Sequence, residues 1–201
     1  MKLLGLTGGV GMGKSTAAAF LQERGARIVD TDQLARELVQ PGQPALEEIW
    51  IAFGDHILSS DRQLRRDELA NIVFADAGAR KKLEQILHPR IWERWLAQVQ
   101  SWRNENCSVA VVVIPLLYET RAESHFDKVI CVACSENSRR ERLVARGWTK
   151  VQIEARISAQ MPVSDKIARA DFVIWSEGVL ENHAQQVDCI LDRLSPGRKA
   201  V

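Results

Sequence analysis

The sequence predicts an α/β three-layer sandwich built on a parallel five-stranded sheet, with two helical insertions. Three observations carry this. Short β-type runs alternate with helical patterns, as they do where parallel strands are joined by crossover helices. The most apolar run, Val109–Ile114, has no polar position, which suits a strand covered on both faces. Between Thr31 and Asn106 the strand signal nearly vanishes, so the helices there belong to an insertion rather than to the sheet.

The elements follow in order. Lys2–Leu6 reads as a buried strand and Lys14–Arg24 as a helix, with Ala17, Ala18, Phe20 and Leu21 offering apolar faces. Ala26–Asp30 is the second strand. In the insertion, "DQLARELV" is followed by a Pro41-Gly42 break and then by "PALEEIWIAF". The polar turn "SSDRQ" separates these from "RRDELANIVF", and a long helix is expected after His88-Pro89. Trp92, Trp95, Leu96, Val99 and Trp102 recur there at helical spacing and read as a packing stripe. Val109–Ile114, Lys128–Val132 and Phe172–Trp175 complete the strands. Between the last two lies a second helical block, Ser135–Ile167, in which Thr149 and Gln152 match a capping box. Val179–Leu194 is a closing amphipathic helix, and the tail Ser195–Ala200 reads as frayed. The expected division is a core of 1–30, 107–134 and 168–201, with insertions at 31–106 and 135–167.

Composition narrows the function. The chain has 201 residues and 46% hydrophobic content, enough for one core with small insertions. Its 27 basic and 26 acidic residues leave a net charge of +1, which argues against a nucleic-acid or membrane-surface binder. No apolar run is long enough to span a bilayer, and the N-terminus lacks a signal peptide's apolar stretch and cleavage site. The chain reads as cytoplasmic, and its four cysteines are too few for a disulfide scaffold. Cys131 and Cys134 form a C-x-x-C. The ordinary reading is two small apolar residues at a strand end, and the alternative is a redox or zinc site.

The decisive stretch is Gly8-Gly9-Val10-Gly11-Met12-Gly13-Lys14-Ser15, which fits G-x-x-x-x-G-K-[ST] between a strand and a helix. The glycines Gly8, Gly9, Gly11 and Gly13 let the backbone turn tightly and bring its N–H groups to phosphate oxygens, with Met12 counted among the nucleotide-binding positions. The helix start adds unpaired donors and partial positive charge. Lys14 would reach the β- and γ-phosphates of ATP, Ser15 would ligate Mg²⁺, and Thr16 would place a hydroxyl near the α-phosphate. This is the P-loop NTPase pattern. The base-reading N-K-x-D and switch D-x-x-G of small GTPases are both missing. A short chain with two helical insertions suits phosphoryl transfer to a small molecule, one insertion holding the acceptor and the other excluding water as a lid.

Two further groups bear on chemistry. "VDTD" ends the second strand, so Asp30 and Asp32 lie at a carboxyl end, the ligand edge of an open α/β sheet. Asp32 is the favoured general base, with Asp30 as helper or metal partner; the competing reading is a helix cap. In "SENSRRERLVARGWT", Arg139, Arg142 and Arg146 share a helix face and Arg140 points elsewhere. That face is either a solvated charged surface or a clamp on the phosphates, a role suited to arginine's fixed fork of donors.

Taken together, "GLTGGVGMGKST", "VDTDQLAREL", "LHPRI", "IPLLYE" and "RISAQMPVSDKIARADFVI", in this order, resemble the dephospho-coenzyme A kinases over nearly the whole chain. The resemblance implies ATP-dependent phosphorylation of the ribose 3′-hydroxyl of dephospho-coenzyme A, the last step of coenzyme A synthesis. It implies a coenzyme-binding domain at 31–106 and a lid at 135–167. Lys14, Asp32 and Arg142 would then form the catalytic set, with Arg139 and Arg146 on the nucleotide. Arg65, Arg66 and His88 would be acceptor contacts, although His88-Pro89 also reads as a helix start. The partner would be the small-molecule substrate, and the state a monomer or weak homo-oligomer. In "VAVVVIPLLYE" the positions before Pro115 are valine and isoleucine, so no strand-end aspartate is available for Mg²⁺. Ser15 is left as the direct ligand, Asp30 or Asp32 would act through water, and Glu119 is either a ligand or structural. The alternatives are a nucleoside, gluconate or shikimate kinase on the same core, or a nucleotide-dependent switch.

Overall fold

A computed structural model describes residues 1–194. The tail Ser195–Ala200, read above as frayed, lies outside the described residues. The chain divides into two compact units, Asp30–Ser101 and the remainder.

The larger unit holds a five-stranded parallel sheet. Its elements are β1 (Lys2–Thr7), α1 (Lys14–Glu23), β2 (Arg27–Asp30, whose last residue opens the other unit), β3 (Val109–Val113), β4 (Lys128–Ala133), α6 (Glu136–Ala145), α7 (Lys150–Ser158), α8 (Val163–Arg169), β5 (Phe172–Trp175) and α9 (Leu180–Leu194). The strand order is β2-β3-β1-β4-β5. β1 is central, with Leu4 opposite Val111 on one side and Lys128 on the other. Alternate residues face one layer: Leu4, Leu6, Val111, Val113, Ile130, Val132 and Ile174 pack with Ala17 and Leu21 of α1 and Val187 and Leu191 of α9. The opposite face is also filled. A Cβ on Gly5 would sit 2.6 Å from Leu117, so glycine is needed there for close approach. Every residue of β3 is buried, as its unbroken apolar run requires.

The smaller unit is helical: α2 (Thr31–Leu38), α3 (Pro44–Phe53), α4 (Arg66–Ala75) and most of α5 (Ala77–Asn104). Asp30 caps α2, and Pro44 starts α3 where its missing N–H costs nothing. Val39, Leu46, Ile49, Ile57 and Leu69 form a core of their own. The "SSDRQ" turn closes a single antiparallel bridge, Leu58 to Leu64.

One expectation is corrected here. The long helix does not begin after His88-Pro89; it begins at Ala77 and runs through Pro89, so His88 is an interior position and not a helix start. Proline removes one helical donor and crowds the preceding turn, at a cost of about 3 kcal/mol. The bond lost is the one to the Gln85 carbonyl; the Arg90 guanidinium braces the same turn, donating to the neighbouring Ile86 carbonyl at 2.6 Å and to Glu48. Leu83, Ile86 and Leu87 pack on the unit's core and hold the helix through the proline. The packing stripe also loses a member: Trp95, Val99 and Trp102 are buried, but Leu96 is 39% exposed.

Candidate active site

β1 delivers the chain into the loop Gly8–Gly13, and α1 leaves it at Lys14. Gly8 and Gly13 show why the loop needs glycine. Gly8 has φ 143°, and a Cβ there would lie 2.2 Å from the Val132 carbonyl oxygen. Gly13 has φ 89° and stands at the N-cap of α1 without any side-chain cap, the setting in which a helix start accepts an anion. Lys14 Nζ lies 3.0 Å from the carbonyl oxygens of both Gly8 and Gly9, folded back over the loop. Ser15 is exposed in the first turn of α1, and Thr16 is half-buried.

Helix α6 brings two of the predicted arginines to this loop. Ser135 caps the helix and accepts from the Ser138 N–H at 3.3 Å. One turn on, Arg139 is 4% exposed; its Nε donates to the Val10 carbonyl at 3.0 Å, and its Nη1 pairs with Glu136 at 2.9 Å. Arg142 donates to the Ser176 hydroxyl at 2.9 Å and to the Ser176 carbonyl, while that hydroxyl donates to the Met12 carbonyl at 2.8 Å. Arg146, at the C-cap of α6, is exposed. Arg140 turns away to Glu154 and Glu136. The face is thus split: two arginines converge on the loop and the third stays at the surface.

Several residues around the loop escape a motif reading. Gln160, between α7 and α8, accepts from the Val10 N–H at 3.0 Å. Lys166 is fully buried; its Nζ donates to the Pro115 carbonyl at 2.7 Å and pairs with Glu119 at 2.9 Å. The same Pro115 carbonyl accepts from Thr7 Oγ1 at 3.2 Å, so the network reaches the last residue before the loop. Glu119 also accepts from the Met161 N–H at 2.8 Å, and these contacts give it the structural role. Glu177 accepts from Ser135, Ser138 and Trp175, and these hydrogen bonds pull its carboxyl down to about 2. Glu119 and Lys166 both fall in segments singled out above, but no local spacing pairs them.

Cys131 and Cys134 are buried, and burial pushes the Cys131 thiol up to about 11. That is the setting of a packing thiol and not of a nucleophile. Among the described residues no group of three or more His, Cys, Asp or Glu could hold a metal ion. Mg²⁺ needs no such cage, since one hydroxyl and substrate phosphates commonly suffice. The exposed Ser15 hydroxyl fits that requirement.

The remaining predicted residues lie in the smaller unit. Asp30 accepts from the Asp32 N–H at 2.8 Å, which makes it the cap of α2, and Asp32 is exposed in the first turn. Arg65 and Arg66 are exposed at the start of α4. His88 is exposed on α5.

A family model described as dephospho-CoA kinase matches residues 2–182. The chain belongs to the dephospho-CoA kinase family. A dephospho-CoA kinase of Anaeromyxobacter dehalogenans is 43% identical over 199 residues, covering 98% of this chain and 94% of the relative. One from Bdellovibrio bacteriovorus is 38% identical over 191 residues, covering 95% of each. Among solved structures, a dephospho-CoA kinase from Campylobacter jejuni is 26% identical with a TM-score of 0.70, covering 98% of both chains. A shikimate kinase from Acinetobacter baumannii shares the fold alone, at 12% identity and a TM-score of 0.56 over 99% of this chain and 96% of its own. The dephospho-CoA kinase match runs through the helical unit as well as the loop, and membership of that family makes this chain a kinase.

Proposed function

We propose that the protein transfers the terminal phosphoryl group of ATP to the ribose 3′-hydroxyl of dephospho-coenzyme A, the last step of coenzyme A synthesis. The observation that carries this reading is the extent of the family match, which spans the helical unit Asp30–Ser101 together with the phosphate loop. Acceptor choice in kinases on this core rests with such insertions, so a match confined to the loop would have left it open.

The roles follow from the side chains. Loop N–H groups and Lys14 bind the phosphates, with Thr16 beside them. Mg²⁺ bound at the Ser15 hydroxyl would offset phosphate charge. Asp32 accepts the proton of the 3′-hydroxyl, and Arg142 stabilises charge on the transferring group. Arg139 supports the loop, and Arg146 joins the nucleotide contacts. Arg65, Arg66 and His88 serve the anionic acceptor, and the segment 135–167 excludes water as a lid. We place the enzyme in the cytoplasm as a monomer or weak homo-oligomer. Among the described residues no helix is long and apolar enough to cross a membrane.

The test is ADP release with ATP and Mg²⁺ against dephospho-coenzyme A, adenosine, gluconate, shikimate and water. Release confined to dephospho-coenzyme A, with a 3′-phosphorylated product by mass, is the expected result. Release with another acceptor overturns the substrate, and release with water alone overturns the transferase reading.

A further inference from the structure

The phosphate loop is gripped at its tip from outside. Val10 has both of its peptide groups engaged by side chains from the helical block 135–167. Its N–H donates to Gln160 Oε1 at 3.0 Å, and its carbonyl accepts from Arg139 Nε at 3.0 Å. Gln160 is itself fixed. The next N–H, that of Met161, donates to Glu119 at 2.8 Å, and Glu119 is paired with the buried Lys166. The carboxamide is therefore placed by a chain of contacts that starts at the sheet.

Lys14 tells which end of a nucleotide this tip meets. A P-loop lysine reaches the β- and γ-phosphates. Lys14 Nζ lies against the carbonyls of Gly8 and Gly9, so the limb Gly8–Val10 is the terminal-phosphate limb. The first turn of α1 is the inner limb. A glycine-rich limb has much backbone freedom to lose on ordering, and fixing both peptide groups of Val10 removes part of that loss beforehand.

We propose that Gln160 is a positioning residue for phosphoryl transfer: by holding the Val10 N–H it fixes the terminal-phosphate limb while leaving the grip on the inner phosphates to α1. This rests on the reading of the loop as an ATP site. Arg139 shares the grip, but Gln160 can be altered at an uncharged position.

The experiment uses the full chain with Gln160→Ala and Gln160→Glu. It reads amide exchange at Val10 in the ligand-free protein, ADP affinity by calorimetry, and kcat and KM for ATP with dephospho-coenzyme A. Gln160→Ala should speed Val10 exchange and lower kcat, each by about tenfold or more, with ADP affinity held within about twofold. Gln160→Glu keeps an acceptor oxygen, so Val10 exchange should stay slow. Its added charge should raise KM for ATP by about tenfold and leave ADP affinity within about threefold. A Gln160→Ala enzyme with unchanged kcat and Val10 exchange overturns the proposal, as does equal weakening of ATP and ADP. Should the alanine variant fail to fold, the glutamate variant decides: an unchanged KM for ATP, or ADP weakened as much as ATP, overturns it. A wild-type protein inert toward dephospho-coenzyme A would defeat the proposed reaction instead. Val10 exchange and the affinity for ATP against ADP would then still decide the role of Gln160.

Discussion

The Lys166 ammonium, with no exposed surface, stands 2.9 Å from the Glu119 carboxylate and 2.7 Å from the Pro115 carbonyl oxygen. This pair links α8 to the chain just beyond β3, where the Pro115 carbonyl also accepts from Thr7, the last residue before the phosphate loop. A buried pair adds little net stability, but removing one partner strands the other. Glu119 keeps 22% of its side chain exposed, so water relieves part of that penalty. Lys166→Met should therefore destabilise by about 2 kcal/mol, below the roughly 3–5 kcal/mol of a broken pair buried on both sides. Lys166→Met with Glu119→Leu should recover part of the loss in urea melts; additive losses would show the two residues to be uncoupled.

The two loop-facing arginines and the exposed one should separate in kinetics. Arg142→Ala should lower kcat by about a hundredfold or more, as loss of a preorganised donor does. Arg146→Ala should cost far less. Lys14→Ala should raise KM for ATP and lower kcat together. Steady-state assays at saturating acceptor check all three, and equal effects at Arg142 and Arg146 would contradict the split face.

Asp30 is the cap of α2, and Asp32 is the proposed base. Asp30→Ala should lower stability by about 1 kcal/mol through the lost α2 cap. Asp32→Asn should leave stability and ATP affinity near normal and cut kcat by about a hundredfold or more. Thermal melts, calorimetry and turnover distinguish them. Turnover that survives Asp32→Asn would remove the assigned base.

Acid should weaken the fold in two steps. His183 is buried beside Phe20, and burial lowers its imidazole below the ordinary 6.5. The unfolded chain then binds the extra proton first, so stability falls as pH drops below about 6.5. Glu177 is held at about 2 against an ordinary 4.5, so its stabilisation is whole above 4.5 and is lost as pH falls toward 2. Denaturant melts across this range should lose the upper step in His183→Gln and show a smaller lower step in Glu177→Gln, because Asp171 and Asp188 are also held below their ordinary range by Lys128 and Arg24.

The strands and the phosphate loop were legible because each is a local pattern. An apolar run five residues long names an interior strand buried on both faces, and a glycine spacing names the turn. The start of α5 was not legible, because His88-Pro89 read as a helix start. The signal present was Asp76, which accepts from the Gly78 N–H at 2.7 Å as a cap would. Lys166 and Gln160 were illegible for another reason. Their partners, Glu119 and Val10, stand far away in sequence, and periodicity reports faces, not distant pairings. Arginine spacing predicted a shared face but not that Ser176 would join Arg142 to the loop.

The central place of β1 also bears on how the chain is made. Its two neighbours, β3 and β4, are encoded after the whole helical unit, since Leu4 pairs with Val111 and with Lys128. On the ribosome the strand "KLLGLT" emerges before either neighbour and waits unpaired for about a hundred residues of synthesis. The helical unit, with its own core, completes in that interval and shortens the effective span that must close. The segment that presents the phosphate loop is thus made well before its partners and is among the last to find them. Chaperone demand during translation should centre on it.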